Sequence, residues 1–177
     1  MSGHNKWSQI KLKKGKTDAK RSQIFSKYAK LIANEARAAK GNRDAPALRA
    51  AIERARKENM PSDNIERAIK KAGEGSGSLE AVMYEGYGPG GVALLIEALT
   101  DSRNRAAGGI KHLLAEYGGN LASPGAALWA FRKEPTTNRY QPTTTTPLSG
   151  EDLEKLDKLV ETLEANEDVQ EVITNAE

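Results

Sequence analysis

Apolar positions recur every three or four residues over most of this chain, and in one stretch they change to short runs and near-alternation. From Asp18 to Lys40 the spacing predicts an amphipathic helix. At about 100° per residue Ile24, Phe25, Tyr28, Leu31 and Ile32 share one side. Lys27, Lys30 and Arg37 fall opposite, with Lys20 and Lys40 at the edges of that face. Gly41-Asn42-Arg43 interrupts the pattern. A second helix follows, with Asp44 placed to cap it, Pro46 in its first turn, and Leu48, Ile52 and Ala55 as its buried stripe. Met60-Pro61 opens a third, in which Asp63 and Glu66 have capping-box spacing, Ile65, Ala68 and Ile69 face inward and Gly73 marks the end. Three such stripes predict a small three-helix unit.

Gly73-Glu74-Gly75-Ser76-Gly77-Ser78 has the composition of a flexible linker. It divides the chain into residues 1–75, a basic arm plus the three-helix domain, and residues 76–177, a domain of different period. Val82, Tyr84 and Tyr87 lie in a strand-like run, Gly86 to Gly91 is a turn, and Val92 to Leu99 is an apolar strand. Thr100-Asp101-Ser102 supplies caps for a helix from Arg103 to Tyr117, with Ile110, Leu113 and Leu114 inward and Gly118-Gly119 as its stop. Ala127 to Arg132 reads as a third strand and the Thr/Pro-rich stretch 135–149 as a loop. Ser149 caps a last helix whose Leu153, Leu156, Leu159, Val160 and Leu163 repeat at three and four, and Val169 to Thr174 closes as a strand. This order predicts an α+β fold: the N-terminal three-helix domain, then an antiparallel, ferredoxin-like sheet with its helices on one face.

Charge sharpens the division. Residues 1–75 carry 19 Lys and Arg against 8 Asp and Glu, a net +11; residues 76–177 carry 8 against 16, a net −8; together these give the +3 of the whole chain. Clustered positive charge without local compensation is the electrostatic footprint of a polyanion partner. The chain has no cysteine, which removes disulfides, thiolate metal sites and cysteine nucleophiles. No apolar run reaches the roughly 18 residues of a membrane span. The opening residues have no apolar signal core and are Lys-rich rather than Arg- and Ser-rich, so the expected location is the cytoplasm.

The candidate contacts follow from that charge. Lys6, Lys11, Lys13, Lys14 and Lys16 in the arm, with Lys20, Arg21, Lys27 and Lys30 on the first helix, are expected to hold phosphate. Lysine dominates the arm, and lysine meets phosphate as a point charge while arginine suits bidentate base contacts. The arm therefore suggests backbone binding. Trp7 stands among these lysines as a base-stacking ring or as a packing anchor, and a lone tryptophan is more often the anchor. In Asp101-Ser102-Arg103-Asn104-Arg105 two arginines oppose a helix dipole. Either an anion binds there, with Arg103, Asn104 and Arg105 as a second nucleic-acid contact, or the arginines pair with Glu97, Asp101 or Glu134. Gly86 to Gly91 lacks the Lys-Ser/Thr of a phosphate-binding loop and reads as a hairpin turn. His4 and His112 have no ligand spacing around them, and no nucleophile elbow or paired-carboxylate pattern occurs. No metal, no cofactor and no enzymatic activity are expected.

Gly3-His4-Asn5-Lys6-Trp7, Asp18-Ala19-Lys20-Arg21, Asn59-Met60-Pro61, Ile65-Glu66-Arg67-Ala68-Ile69, Tyr84-Glu85-Gly86-Tyr87-Gly88-Pro89-Gly90-Gly91, Thr100-Asp101-Ser102-Arg103-Asn104-Arg105 and Gly118-Gly119-Asn120-Leu121, in this order, closely resemble the YebC family. That family includes bacterial proteins described as transcriptional regulators and a mitochondrial translational activator. The resemblance implies a helical N-terminal domain, α+β domains after it, and a non-enzymatic role in gene expression through DNA or through the RNA of the ribosome. Two departures are visible. Family members usually insert a third domain after the segment that ends here near Glu134, and Ser102 and Ala106 stand where Asn and Thr are usual. The family's opening motif starts at residue 3, which sets the expectation of a bacterial cytosolic member. The expected function is a DNA-binding transcriptional regulator with nucleic acid as partner. The alternatives are a translation factor acting through ribosomal RNA and a module that binds an acidic protein.

Overall fold

A computed structural model describes Trp7, residues 17–74 and residues 78–177. The chain divides into two compact units, a helical one ending at Leu79 and an α+β one from Glu80 to Glu177 that Trp7 joins.

In the helical unit α1 spans Asp18–Ala38, and the Thr17 hydroxyl caps it by accepting the Lys20 N–H at 3.2 Å. The helix stops two residues before the expected Lys40, because Lys40 (φ 51°) and Gly41 (φ 82°) are left-handed. Helix α2 spans Pro46–Lys57 with the proline at its first position. Asp44 does not cap it: the residue before the helix is Ala45, and the Asp44 N–H is turned back onto the Asn42 side chain at 3.0 Å. Helix α3 spans Ser62–Lys71. The expected capping box is also absent, since Pro61 holds the cap position and Glu66 is drawn away by Arg43, whose guanidinium donates to both carboxylate oxygens at 2.8 and 2.6 Å. Ile32 and Ala36 of α1, Leu48, Ala51 and Ala55 of α2, Met60, and Ile65 and Ala68 of α3 form one core. The Arg37 side chain donates to the Ala72 carbonyl and ties α1 to the end of α3.

In the α+β unit β1 (Glu80–Tyr87) and β2 (Ala93–Thr100) form an antiparallel hairpin in register from Glu80↔Thr100 to Tyr87↔Ala93. Helix α4 (Arg103–Glu116), β3 (Asn120–Ala122), β4 (Phe131–Lys133), β5 (Tyr140–Pro142), α5 (Gly150–Ala165) and β6 (Val169–Thr174) follow. The main sheet has the order β3-β1-β2-β6 and every pairing in it is antiparallel. The α+β class is as expected. The main-sheet connections run β-β-α-β-α-β, however, where a ferredoxin-like sheet runs β-α-β-β-α-β.

The segment expected as the third strand, Ala127 to Arg132, is not in this sheet. It makes a short 3₁₀ turn at Leu128–Ala130 and then β4, which pairs only with β5. The third sheet strand is Asn120–Ala122, and β5 lies inside the stretch expected to be loop. One face of the sheet carries Leu94, Ile96 and Val172 against Ile110 and Leu114 of α4 and the leucine row of α5. The other face carries Ala93 and Leu95 against Ala127, Ala130 and Phe131, with Tyr87, Tyr140 and Ile173 at the margin. The helices do lie on one face, and the β4–β5 layer covers the second.

Two glycines make the β1–β3 pairing possible. A Cβ on Gly119 would sit 2.3 Å from the Tyr87 carbonyl oxygen, and one on Gly86 would sit 2.8 Å from that of Asn120. Only hydrogen leaves room for these backbones to meet.

Candidate nucleic-acid interface

The helical unit holds an excess of cations from its sequence alone: from Thr17 to Leu79 there are 14 Lys and Arg against 8 Asp and Glu, a net +6. The buried positions Ile32 and Ala36 set the inner side of α1, and a period of 3.6 puts Lys20, Lys27 and Lys30 on other sides of it. Those three lysines are half-buried and each makes an interaction, while Arg21 is exposed. Arg49 and Arg67 are exposed on α2 and α3. Arg54, Arg56 and Lys57 end α2, and Lys70 and Lys71 end α3, where a helix dipole favours positive charge. The expected arm contacts Lys6, Lys11, Lys13, Lys14 and Lys16 lie outside the described residues.

Trp7 is 6% exposed and belongs to the core of the α+β unit, packed with β2, α4, α5 and β6. Of its two expected roles the structure favours the anchor: a ring with its faces covered cannot take a base between them.

The Arg103-Asn104-Arg105 motif is built differently from an open anion site. Ser102 caps α4 by accepting the Arg105 N–H at 3.3 Å. The Arg103 guanidinium donates to both oxygens of Glu80, at 2.8 and 2.5 Å, and its backbone carbonyl accepts the Tyr84 hydroxyl at 2.9 Å. Arg105 donates to Asp101 at 2.7 Å and to Asp168 at 3.0 Å. Hydrogen bonding to Glu80 raises the Arg103 pKa, and the same contact holds Glu80 below the ordinary carboxylate value. Asp168 and Asp101 act likewise on Arg105. Three carboxylates thus offset two arginines that would otherwise oppose the dipole. Of the partners expected, Asp101 is right; Glu80 and Asp168 stand where Glu97 and Glu134 were expected. Asp168 is 8% exposed, so Arg105 neutralises a carboxylate that the fold has taken from water. Asn104 is exposed in the first turn of α4.

Sequence reasoning passed over Glu85. It is 6% exposed, and its two oxygens accept the backbone N–H groups of Gly125 at 2.7 Å and of Ala127 and Leu128 at 2.8 Å each. Burial pushes its pKa up, the three N–H donors pull it down, and the donors win. Tyr87, two residues on, donates its hydroxyl to the Ala126 carbonyl and accepts the Trp129 indole N–H at 3.1 Å. The signal was the alternation of β1: Met83, Glu85 and Tyr87 share a face with apolar neighbours, so a glutamate there points inward. Trp129 was also missed as a surface group. It is 62% exposed beside Leu128 at 37%.

Among the described residues no three His, Cys, Asp or Glu side chains are grouped to hold a metal, and no helix is long and apolar enough to cross a membrane.

Two family patterns account for the sequence. The TACO1/YebC protein N-terminal domain matches residues 5–75, and the TACO1/YebC second and third domain matches residues 79–137 and 134–176. This chain belongs to the TACO1/YebC family. The second pattern breaks where the β4–β5 turn lies, and the two sides join within residues 134–137. Similar proteins agree. A "probable transcriptional regulatory protein" from Desulfatibacillum aliphaticivorans is 55% identical over 140 residues, which is 76% of this chain and 56% of that one. Another of that name, from Desulforamulus reducens, is 38% identical over 242 aligned positions that take in all of this chain and 99% of the relative. Against 177 residues here, those 242 positions leave 65 without a counterpart. The chain thus spans about half the length of several curated relatives it matches. A conserved hypothetical protein of known structure from Aquifex aeolicus superposes with a TM-score of 0.75 at 32% identity, covering 90% of this chain and 91% of that one.

Proposed function

We propose that this protein is a non-catalytic, nucleic-acid-binding regulator of gene expression in the cytoplasm, a DNA-binding transcriptional regulator of the YebC type. The observation that carries the reading is the uncompensated charge of the N-terminal half, +11 over residues 1–75. Lys6, Lys11, Lys13, Lys14, Lys16, Lys20, Arg21, Lys27 and Lys30 hold phosphate in this reading. The names of the relatives support regulation of transcription. Arg103 and Arg105 move to the margin, because a phosphate would have to displace Glu80, Asp101 or Asp168 to reach them. A second reading, a translation factor that grips ribosomal RNA, is favoured by the arm's composition: residues 1–17 hold five lysines and no arginine, the choice for phosphate rather than base edges.

Binding to labelled duplex DNA and to structured RNA across a salt series tests the proposal. If about six phosphates are neutralised, log affinity falls against log salt with a slope of roughly −5. Replacing Lys11, Lys13, Lys14 and Lys16 by Ala flattens that slope by about 3.5 and weakens all sequences alike. Unchanged affinity would remove the arm from the contact surface, and loss of binding only to an acidic protein would point to the interaction-module reading. Crosslinking in cells with sequencing of bound DNA and RNA separates promoter from ribosome.

A further inference from the structure

We propose that Trp129 is a stacking platform for an unpaired nucleobase, a second contact of different chemistry from the basic arm. The inference rests on the nucleic-acid reading above and assigns it a single-stranded subsite on the α+β unit.

The ring is held rather than loose. Its indole N–H is committed to the Tyr87 hydroxyl at 3.1 Å, and that hydroxyl is committed to the Ala126 carbonyl. The turn that carries the ring is fixed from beneath by Glu85, which gathers the N–H groups of Gly125, Ala127 and Leu128. Ala127, Ala130 and Phe131, on either side, do the packing and are buried. Trp129 contributes its large apolar surface to water instead, 62% exposed. A tryptophan whose polar atom is tied and whose body is in solvent presents a π-face in one orientation, so little rotamer entropy is lost when a flat partner covers it.

Charge selects the partner. The α+β unit from Glu80 onward is −8, yet from Leu121 to Lys133 it contains no acid and two bases, Arg132 and Lys133, both exposed. The buried Glu85 that approaches this loop is occupied by backbone donors, and Glu134 beyond it accepts from Thr137 and Gln141. Lys133 lies 5.6 Å from the centroid of the Tyr140 ring, which keeps a cation beside the loop. An exposed indole followed three and four residues later by exposed cations, in a stretch of sequence from Leu121 to Lys133 without carboxylates, matches a base with its phosphate, the combination single-strand binders use.

The two tryptophans make the test direct. Trp7 is buried and Trp129 is exposed, so the acrylamide-accessible emission of the full chain reports Trp129. A short poly-uridine RNA should quench that component, and an RNA duplex of equal length should not. Trp129→Ala should weaken single-strand binding about 5- to 150-fold. It should leave duplex affinity, the salt slope and the thermal midpoint unchanged, and Trp129→Phe should restore most of the loss. Equal single-strand affinity for wild type and Trp129→Ala, or emission unaltered at saturation, overturns the stacking role while leaving the nucleic-acid reading intact. Failure of the wild type to bind any nucleic acid in dilute salt overturns both. Shielding of Trp129 by a protein partner and not by RNA assigns the ring to a protein interface and overturns the proposal.

Discussion

Arg21, Arg49 and Arg67 stand exposed on a helical unit that holds six more cations than anions, whereas Arg103, Arg105 and Arg139 in the α+β unit each close onto a carboxylate. The local sequence contexts look alike, with arginines on or beside helices and strands. The supply of acids separates them. In the acidic unit these three arginines are counter-ions: they neutralise Glu80, Asp101, Asp168 and Glu171. In the basic unit cations outnumber carboxylates by 14 to 8, so the carboxylates cannot offset them all. The same contrast separates the tryptophans. Trp7 is spent on a core, and Trp129 is held out from one.

The largest way to disturb this comparison is to remove the carboxylate on which the Trp129 turn is built. Glu85→Ala strands three backbone N–H groups and should cost about 3–5 kcal/mol, read by urea unfolding. A loss under about 1 kcal/mol would mean the turn does not depend on Glu85. The folded Glu85 has its pKa lowered from an ordinary value of 4.5. The folded state therefore binds fewer protons here than the unfolded one near that pH. Its stabilisation is complete above that value and is lost as pH falls through the lower, folded value. Stability measured from pH 6 downward should fall more steeply in wild type than in Glu85→Gln; equal slopes would exclude a lowered Glu85 pKa in the folded state. Next in size, Gly119→Ala forces a methyl against the Tyr87 carbonyl and should cost about 2–3 kcal/mol, with loss of amide protection in β1 and β3. If the two units unfold separately, both changes move only the α+β transition.

How these features could be read in advance differs by length scale. The three helices, β1, β2, α4, α5 and β6 announce themselves because each repeats its apolar spacing over six residues or more. Strands β3, β4 and β5 are three residues long, too short to show a period. Asp44 and Asp63 have cap chemistry at cap spacing, yet an Asn42 side-chain turn and the prolines beside them settle where those helices begin. The anchoring role of Trp7 was legible from its loneliness among lysines. The partners of Arg103 and Arg105 were legible only for Asp101, four residues away along the helix; Glu80 and Asp168 arrive through the sheet. Glu85 reads as one more surface acid until the register of β1 is known.

Charge removal sharpens the comparison directly. Arg105→Gln leaves Asp168 buried without its cation, so it should lower the thermal midpoint and leave nucleic-acid affinity nearly unchanged. Arg21→Gln should do the reverse, weakening binding about two- to fourfold near physiological salt with an unaltered midpoint. If Arg105→Gln also weakened binding at a temperature well below its midpoint, the paired motif would be a contact after all.

The finest distinction lies inside the helical unit, where not every cation needs a ligand to explain it. Lys70 and Lys71 sit in the last turn of α3, where unsatisfied carbonyls attract positive charge; Arg49 is the fourth residue of α2 and Arg67 the sixth of α3, both away from the carbonyl end that supplies that attraction. Replacing Lys70 and Lys71 by Gln should therefore cost about 0.3–1 kcal/mol of stability, diminishing as salt is raised. Replacing Arg49 and Arg67 by Gln should cost nothing measurable in stability, and any effect should appear in binding and in a shallower salt slope. The two double variants carry the same net charge, so a long-range field would weaken binding equally in both. A greater loss from the Arg49 and Arg67 pair would mark those arginines as contacts. Equal small losses would assign the helical unit to steering and leave the grip to the arm.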